Sequence, residues 1–286
     1  MRISVTAATG QLGRQAVLAL LDLGVPAEDL VAVARTPTKA NDLAERGVTV
    51  RAGDYDRPDQ LKAALQGVDV VLLVSGMAPP DARVKQHRNV ISAAQAAGAR
   101  KMVYTSVQGP EEGTAFSPIV QSNRQTEADV RASGLAWSIG RNGIYIEPDV
   151  EYIETYRALG EIANCAGEGK CGYTTRAELA IAYAHMLTAN KHNGQTHNLH
   201  GEPITQATLA RHLSEAFDAS LSHRTVTVED YRQERIAELG EFIGSVIAGI
   251  YHGIAIGAYQ NPSHFEAVTG RPHQSWPHYF AQLKTA

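Results

Sequence analysis

Cysteine is scarce: Cys165 and Cys171 are the only two in 286 residues. A chain of this length buries enough apolar surface to fold without disulfide staples, so reduced thiols in a cytoplasm fit best. No ligand cluster accompanies the Cys-x5-Cys spacing. Among the eleven histidines, His185, His192, His197 and His200 share no helical face, so no metal site is expected. Basic excess is also absent. With 26 Lys and Arg against 30 Asp and Glu the net charge is −4, which argues against a nucleic-acid-binding surface. Strand-like residues begin at position 2, with no basic n-region and apolar h-region, so no signal peptide is expected. The most apolar stretch, 242–258, has only 17 residues and contains His252. A spanning helix needs about 20, so this stretch is expected to be a buried or pocket-lining helix and no membrane partner is expected. Repeats, low-complexity segments and charge blocks are lacking too.

What is present is alternation. Ile3 and Val5 begin a strand, Thr6 to Gly13 form a small-residue turn, and Leu12, Ala16, Leu20 and Leu23 recur at helical spacing. Apolar strand runs follow at 30–34, 48–52, 68–74, 101–106 and 136–139. They are separated by helical stretches at 37–46, 58–65, 84–97 and 122–133. Thr36-Pro37 reads as an N-cap with proline at the first helical position. This pattern predicts an α/β fold, a Rossmann-type doubly wound parallel sheet. Beyond Glu147 helical pieces (150–159, 177–188, 205–217, 228–239) mix with short strands (162–165, 196–199, 223–226). We therefore expect a cofactor-binding domain over 1–147, to which later segments are free to return, and a smaller mixed α/β substrate region over 148–286.

Ligands of such sheets lie along the carboxyl ends of the strands. A strand, a tight turn and a helix N-terminus make an anion site, where backbone N–H groups and the helix dipole meet a phosphate. Short-chain dinucleotide folds space small residues as G-x-x-G-x-x-G; here the three positions are Ala7, Gly10 and Gly13. The turn residues Ala7, Ala8, Thr9, Gly10, Gln11 and Leu12 are the expected pyrophosphate cradle, with Ala7 fitting if its φ is negative. Arg35 ends the second strand, where a carboxylate would bind a free ribose 2′-hydroxyl. An arginine there matches a 2′-phosphate, so the expected cofactor is NADP(H), with Lys39 assisting. Asp54 and Tyr55 follow the third strand beside the expected adenine. Ser75, Gly76 and Met77 follow the fourth, where small residues permit close approach, and Thr105 ends the fifth. Arg141, Asn142, Gly143, Ile144 and Tyr145 follow the sixth, beside the expected nicotinamide. Asn142 suits its carboxamide, and Tyr145 suits stacking on the ring or bounding the pocket. Arg176 is a further candidate for a phosphate or the nicotinamide side.

One absence limits the chemistry. Short-chain dehydrogenases carry Tyr-x3-Lys on the helix after strand five, yet 109–133 contains neither Tyr nor Lys. Alcohol chemistry needs a matched proton relay. Quinones and cationic dyes do not, because hydride gives them a stabilised anion or a neutral product and water delivers any proton. An NADP(H) sensor without turnover also accommodates the absence. So does a carbonyl or enone reductase whose acid comes from Tyr145 or Tyr173.

Residues 6–13 (TAATGQLG), 34–40 (ARTPTKA), 53–55 (GDY), 86–90 (QHRNV), 104–106 (YTS), 126–127 (TE), 141–145 (RNGIY) and 175–178 (TRAE) together resemble the NmrA-like family of atypical short-chain dehydrogenases. The resemblance is strongest to its bacterial branch of NADPH-dependent quinone and triphenylmethane dye reductases. It implies NADPH on the turn, Arg35, 75–77, 141–146 and Arg176. It further implies a quinone-like small-molecule acceptor, reduction without the Tyr-Lys pair, and a cytoplasmic enzyme for which a homodimer is allowed. Two departures stand out: Ala7 replaces a glycine, and Asn123 replaces a histidine thought to lie near substrate.

Overall fold

The computed structural model describes residues 1–284. β1 (Ile3–Val5) leads into α1 (Gln11–Asp22), followed by β2 (Leu30–Ala34), α2 (Asn41–Glu45), β3 (Thr49–Ala52), α3 (Pro58–Ala64) and β4 (Val70–Leu73). Then come α4 (Pro80–Ala96), β5 (Lys101–Val107), α5 (Ser117–Ala132), β6 (Ala136–Asn142), β7 (Ile144–Tyr145), α6 (Glu147–Glu151) and α7 (Ile153–Leu159). β8 (Glu161–Asn164), β9 (Lys170–Cys171), β10 (Tyr173–Thr174), α8 (Arg176–Thr188), β11 (Gln195–Leu199), β12 (Ile204–Thr205) and α9 (Gln206–Phe217) follow. β13 (Ser222–Thr225), α10 (Val228–Leu239), α11 (Glu241–Ala255), α12 (Phe265–Thr269) and α13 (Trp276–Leu283) complete the described chain.

The central sheet has seven strands in the order β11-β6-β5-β4-β1-β2-β3, and every pairing is parallel. β2 and β4 are buried along their whole length, as strands covered by helices on both faces must be. One face packs on α1 and α8, the other on α3, α4 and α5. Strand order reverses between β1 and β4, which opens a crevice at their carboxyl ends.

Two segments beyond residue 147 return to this layer. β11 pairs with β6 from Gln195 opposite Ser138 to Leu199 opposite Asn142. α8 lies against α1, and Leu179, Ala182, Tyr183 and Met186 enter the sheet's core. The remaining pieces surround a second core of Ile146, Tyr173, Leu209, Leu213, Tyr259, Trp276 and Phe280.

Local details differ from expectation. The helix expected from Thr36 is a 3-10 turn over Pro37–Ala40 before α2, and the Thr36 side chain makes no capping bond. Arg14 takes the Lys39 carbonyl that a continuous helix would have used. The expected helix 150–159 divides at Tyr152 into α6 and α7. α11 fills most of the apolar stretch at 242–258. A Cβ on its Gly249 would lie 2.2 Å from the Phe116 nitrogen, so that glycine is required by close packing. Among the described residues no helix is long and apolar enough to cross a membrane.

Candidate functional site

The first turn is shaped by three small residues. A Cβ on Gly13 would sit 2.4 Å from the Ala7 carbonyl oxygen, so only glycine lets α1 approach β1 this closely. The Gly10 N–H donates to the same carbonyl at 2.9 Å. Ala7 has φ +49, contrary to the negative value expected. The family's glycine position is left-handed here, and the alanine adopts it at a strain of roughly 1 kcal/mol. α1 begins without a side-chain cap and without an acidic residue in its first turn. Among the described residues, the N–H groups of Thr9, Gln11, Leu12 and Gly13 find no acceptor. Unclaimed donors at a helix N-terminus fit a dinucleotide pyrophosphate.

Arg35 and Lys39 are exposed, and neither side chain has a hydrogen bond or ion pair among the described residues. Arg14, by contrast, is held by Asp42. Two free cations therefore flank the end of β2, with no carboxylate at 31–35. The floor of the crevice is tied together by Thr6. Its hydroxyl donates to Leu72 O at 2.9 Å, accepts from Val74 N at 3.0 Å, and meets the Tyr55 hydroxyl at 2.5 Å. Burial raises the Tyr55 phenol well above its usual range, so it stays neutral. Asp54 accepts from the Asp56 N–H in a local turn.

The loop after β4 is set by buried partners. Ser75 N–H donates to Thr105 Oγ1 at 2.8 Å, and Gly76 N–H donates to His87 Nε2 at 3.0 Å. Those N–H groups are thereby claimed within the protein, while Met77 at the loop's tip is 89% exposed. Thr126 donates to Ser122 O, so at their contact the His87 Nδ1–H donates to Thr126. Burial and then the nearby Arg83 depress His87 to about 3, so it is a neutral structural acceptor at physiological pH.

Along the inner face of α5, where a Tyr-Lys pair would project, every polar side chain is committed. Asn123 Oδ1 accepts from Tyr104 at 2.6 Å and from Ser75 at 3.3 Å. Glu127, fully buried, receives Ser106, Arg124, Arg131 and a bidentate Arg141. Burial works to raise the Glu127 carboxyl, but Arg141, Arg124 and Ser106 outweigh it and hold it below the usual range. The Arg141 Nε and Nη2 are therefore bound internally, and its side chain is held back against α5.

After β6 the chain must pass tightly between two layers. A Cβ on Gly143 would lie 2.2 Å from the Gly172 oxygen. The carboxamide role expected of Asn142 does not fit. Asn142 is buried, its oxygen accepts from Tyr183 and its nitrogen donates to Tyr145 at 3.2 Å. Tyr145 is half-buried and packs on the sheet core that contains Ala8 and Leu12, with Ile144 beside it. Arg176 lies over the Tyr145 ring, 5.1 Å from its centroid. The Arg176 backbone N–H donates to Glu147 Oε1 at 2.7 Å, but its guanidinium approaches Glu147 and Glu151 no closer than 3.8 Å, so those donors are loosely held. Tyr173 is fully buried in the second core, where its hydroxyl accepts from Gln206 at 2.9 Å. Sequence reasoning assigned nothing to His87, Tyr183 or Glu147. His87 stood in the sequence only as a member of the 86–90 stretch, Tyr183 as a polar side chain on an otherwise apolar helix face, and Glu147 beside the 141–146 stretch.

The comparisons agree with this geometry. Residues 7–190 match the NAD(P)H-binding family. Quinone oxidoreductase 2 of Escherichia coli (strain K12) is 35% identical over 230 residues, covering 80% of this chain and 79% of its own. Triphenylmethane reductase of Citrobacter sp. superposes with a TM-score of 0.91 at 32% identity over 100% of both chains. The NADPH complex of the Escherichia coli NADPH-dependent quinone oxidoreductase superposes with a TM-score of 0.91 at 31% identity over 98% of this chain and 99% of that one. The chain belongs to the NAD(P)H-binding family and is an NAD(P)H-dependent oxidoreductase with a Rossmann-type fold.

Proposed function

We propose that this protein reduces a quinone or a similar electron-poor acceptor with NADPH. The observation that carries this reading is the inner face of α5. It holds no tyrosine or lysine, and Asn123, Thr126 and Glu127 are buried and committed to other side chains. Without that pair, an acceptor whose reduced form is a stabilised anion makes the smallest demand on the protein's proton supply. The quinone and dye reductases among its relatives support the same class.

In this reading the turn at 7–13 holds the pyrophosphate, and Arg35 with Lys39 receives the 2′-phosphate. Tyr55 and Asp54 border the adenine, and 75–77 the ribose. The 141–145 backbone, Tyr145 and Arg176 surround the nicotinamide end. Bound there, the reduced nicotinamide supplies hydride, and the protein's part is to position and orient the reactants. Residues 1–147 with 176–199 form the cofactor half, and the second core with α10 and α11 forms the acceptor half. Cys165 and Cys171 are free and buried, which suits a reducing cytoplasm.

The test is direct. Purified protein with NADPH and a panel of benzo- and naphthoquinones should lose reduced-nicotinamide absorbance in proportion to the quinone consumed. Tight NADPH binding with no oxidation by any acceptor would refute the reading and leave a nucleotide sensor.

A further inference from the structure

We propose that Tyr145 donates the proton that completes reduction of the acceptor, and that Tyr183 acts through Asn142 as the positioning residue that turns the Tyr145 hydroxyl toward it. This rests on the acceptor being a quinone, and it replaces bulk water as the proton source.

Tyr183 is fully buried on α8, and its oxygen lies 3.1 Å from Gly140 O and 2.5 Å from the Asn142 amide. The Tyr183 hydroxyl donates to the Asn142 amide oxygen, the nearer of its two acceptors. Asn142 must then present its NH2 to Tyr145, and the 3.2 Å separation there suits N–H···O. The Tyr145 oxygen is thus an acceptor toward Asn142, and its own proton has no acceptor among the described residues. The groups facing this phenol are Arg176 and Tyr183 on α8, Glu147 on α6 and Asn142 on β6. Burial raises the phenol, while the Asn142 hydrogen bond and the Arg176 charge oppose that rise. A tyrosine on β7 with an α8 arginine on its ring thereby takes the part that the Tyr-Lys pair of α5 plays in short-chain dehydrogenases.

The step balances. Hydride addition to a quinone leaves a hydroquinone anion. The Tyr145 O–H bond breaks, the proton passes to the anionic oxygen, and neutral hydroquinone forms. Solvent hydronium then reprotonates the phenolate.

The first test needs no cofactor. In an ultraviolet titration of the free protein, Tyr145→Phe removes one phenolate transition. In Tyr183→Phe, which frees the Asn142 amide to rotate, that transition moves to higher pH. An unmoved transition overturns the relay. The second test is turnover with a quinone. Tyr145→Phe should lose on the order of 100-fold in kcat. Activity should return in proportion to added imidazolium at constant pH, while NADPH affinity, read by nicotinamide fluorescence, falls far less. Tyr183→Phe should lose less kcat and shift the alkaline limb of its pH profile. Loss of NADPH affinity equal to the loss of kcat, or no response to buffer acid, overturns the assignment. If the wild type reduces no quinone, the acceptor reading has failed instead, and the titration alone decides whether Tyr183 sets the Tyr145 hydroxyl.

Discussion

Replacing Arg35 by alanine isolates one part of the cofactor from the rest of the fold. Arg35 is exposed at the end of β2 and has no hydrogen bond or ion pair among the described residues. Its removal should change stability by no more than about 0.5 kcal/mol, as for other surface substitutions without partners. The whole functional effect then reports on the ligand. A hydrogen bond to a charged group contributes about 1.5 to 3 kcal/mol, and solvent exposure places Arg35 at the lower end of that range. A loss of about 1.5 kcal/mol is roughly tenfold in NADPH affinity. Lys39, also unpaired, should keep the loss from growing larger. NADH has no 2′-phosphate, so its affinity should change less than twofold on the same scale. The assay is KM and the dissociation constant for both nucleotides with one acceptor, wild type against Arg35→Ala, with thermal melting as a control. Equal changes for NADPH and NADH would refute the placement of the 2′-phosphate at β2. A large fall in melting temperature would refute the claim that Arg35 is free.

Two further outcomes follow from the buried network and the first turn. Glu127→Gln leaves Arg124, Arg131 and Arg141 without their shared counter-charge. Because those guanidiniums are partly exposed, the cost should sit near the low end of a broken buried pair, about 3 kcal/mol by urea unfolding. The Glu127 carboxyl is depressed in the folded state, so its stabilisation is complete above its unfolded pKa and is lost as pH falls below about 5. Glu127→Gln should flatten that acid limb, and an unchanged limb would contradict the assignment. Ala7→Gly removes roughly 1 kcal/mol of left-handed strain but adds about 0.5 kcal/mol of unfolded-chain freedom. A melting temperature raised by about 1 to 2 °C, with NADPH bound no more weakly, is expected; a decrease would show that the Ala7 methyl group packs favourably.

The order of elements was legible because each signal was local. Short apolar runs between helical stretches read as strands of a parallel sheet, and β1 to β6 lie where those runs do, with the edge strand β3 only half-buried. The position of the first turn and of Arg35 at the sheet's carboxyl edge was legible for the same reason: a strand end and the next residues share one edge whatever happens elsewhere. Side-chain commitments were not legible, because they depend on partners distant in sequence. Arg141 reads as a cation at the functional edge until Glu127, fourteen residues away, is seen to claim it. Ser75 and Gly76 read as open N–H groups until Thr105 and His87 are seen beneath them. The φ of Ala7 escaped because an alanine gives no sign of a left-handed backbone; only the carbonyl's approach to Gly13 and Gly10 requires it.

The return of α8 to the sheet explains why the proton-delivering end of the site was the hardest part to read. A helix expected in the substrate region packs on α1, and Tyr183 thereby reaches Asn142, forty-one residues earlier in the chain. The same helix starts with Arg176, seven residues before Tyr183, so two turns of α8 place a cation on the Tyr145 ring and a donor behind Asn142. In the usual short-chain arrangement tyrosine and lysine lie one turn apart on α5, and a spacing search finds them. Here the phenol comes from β7, its orienting amide from β6 and its cation from α8, so no linear spacing exists to be found. The empty face of α5 therefore marks where the relay is not, and the parallel pairing of β11 with β6, which draws α8 back across the sheet, is what assembles the groups that replace it.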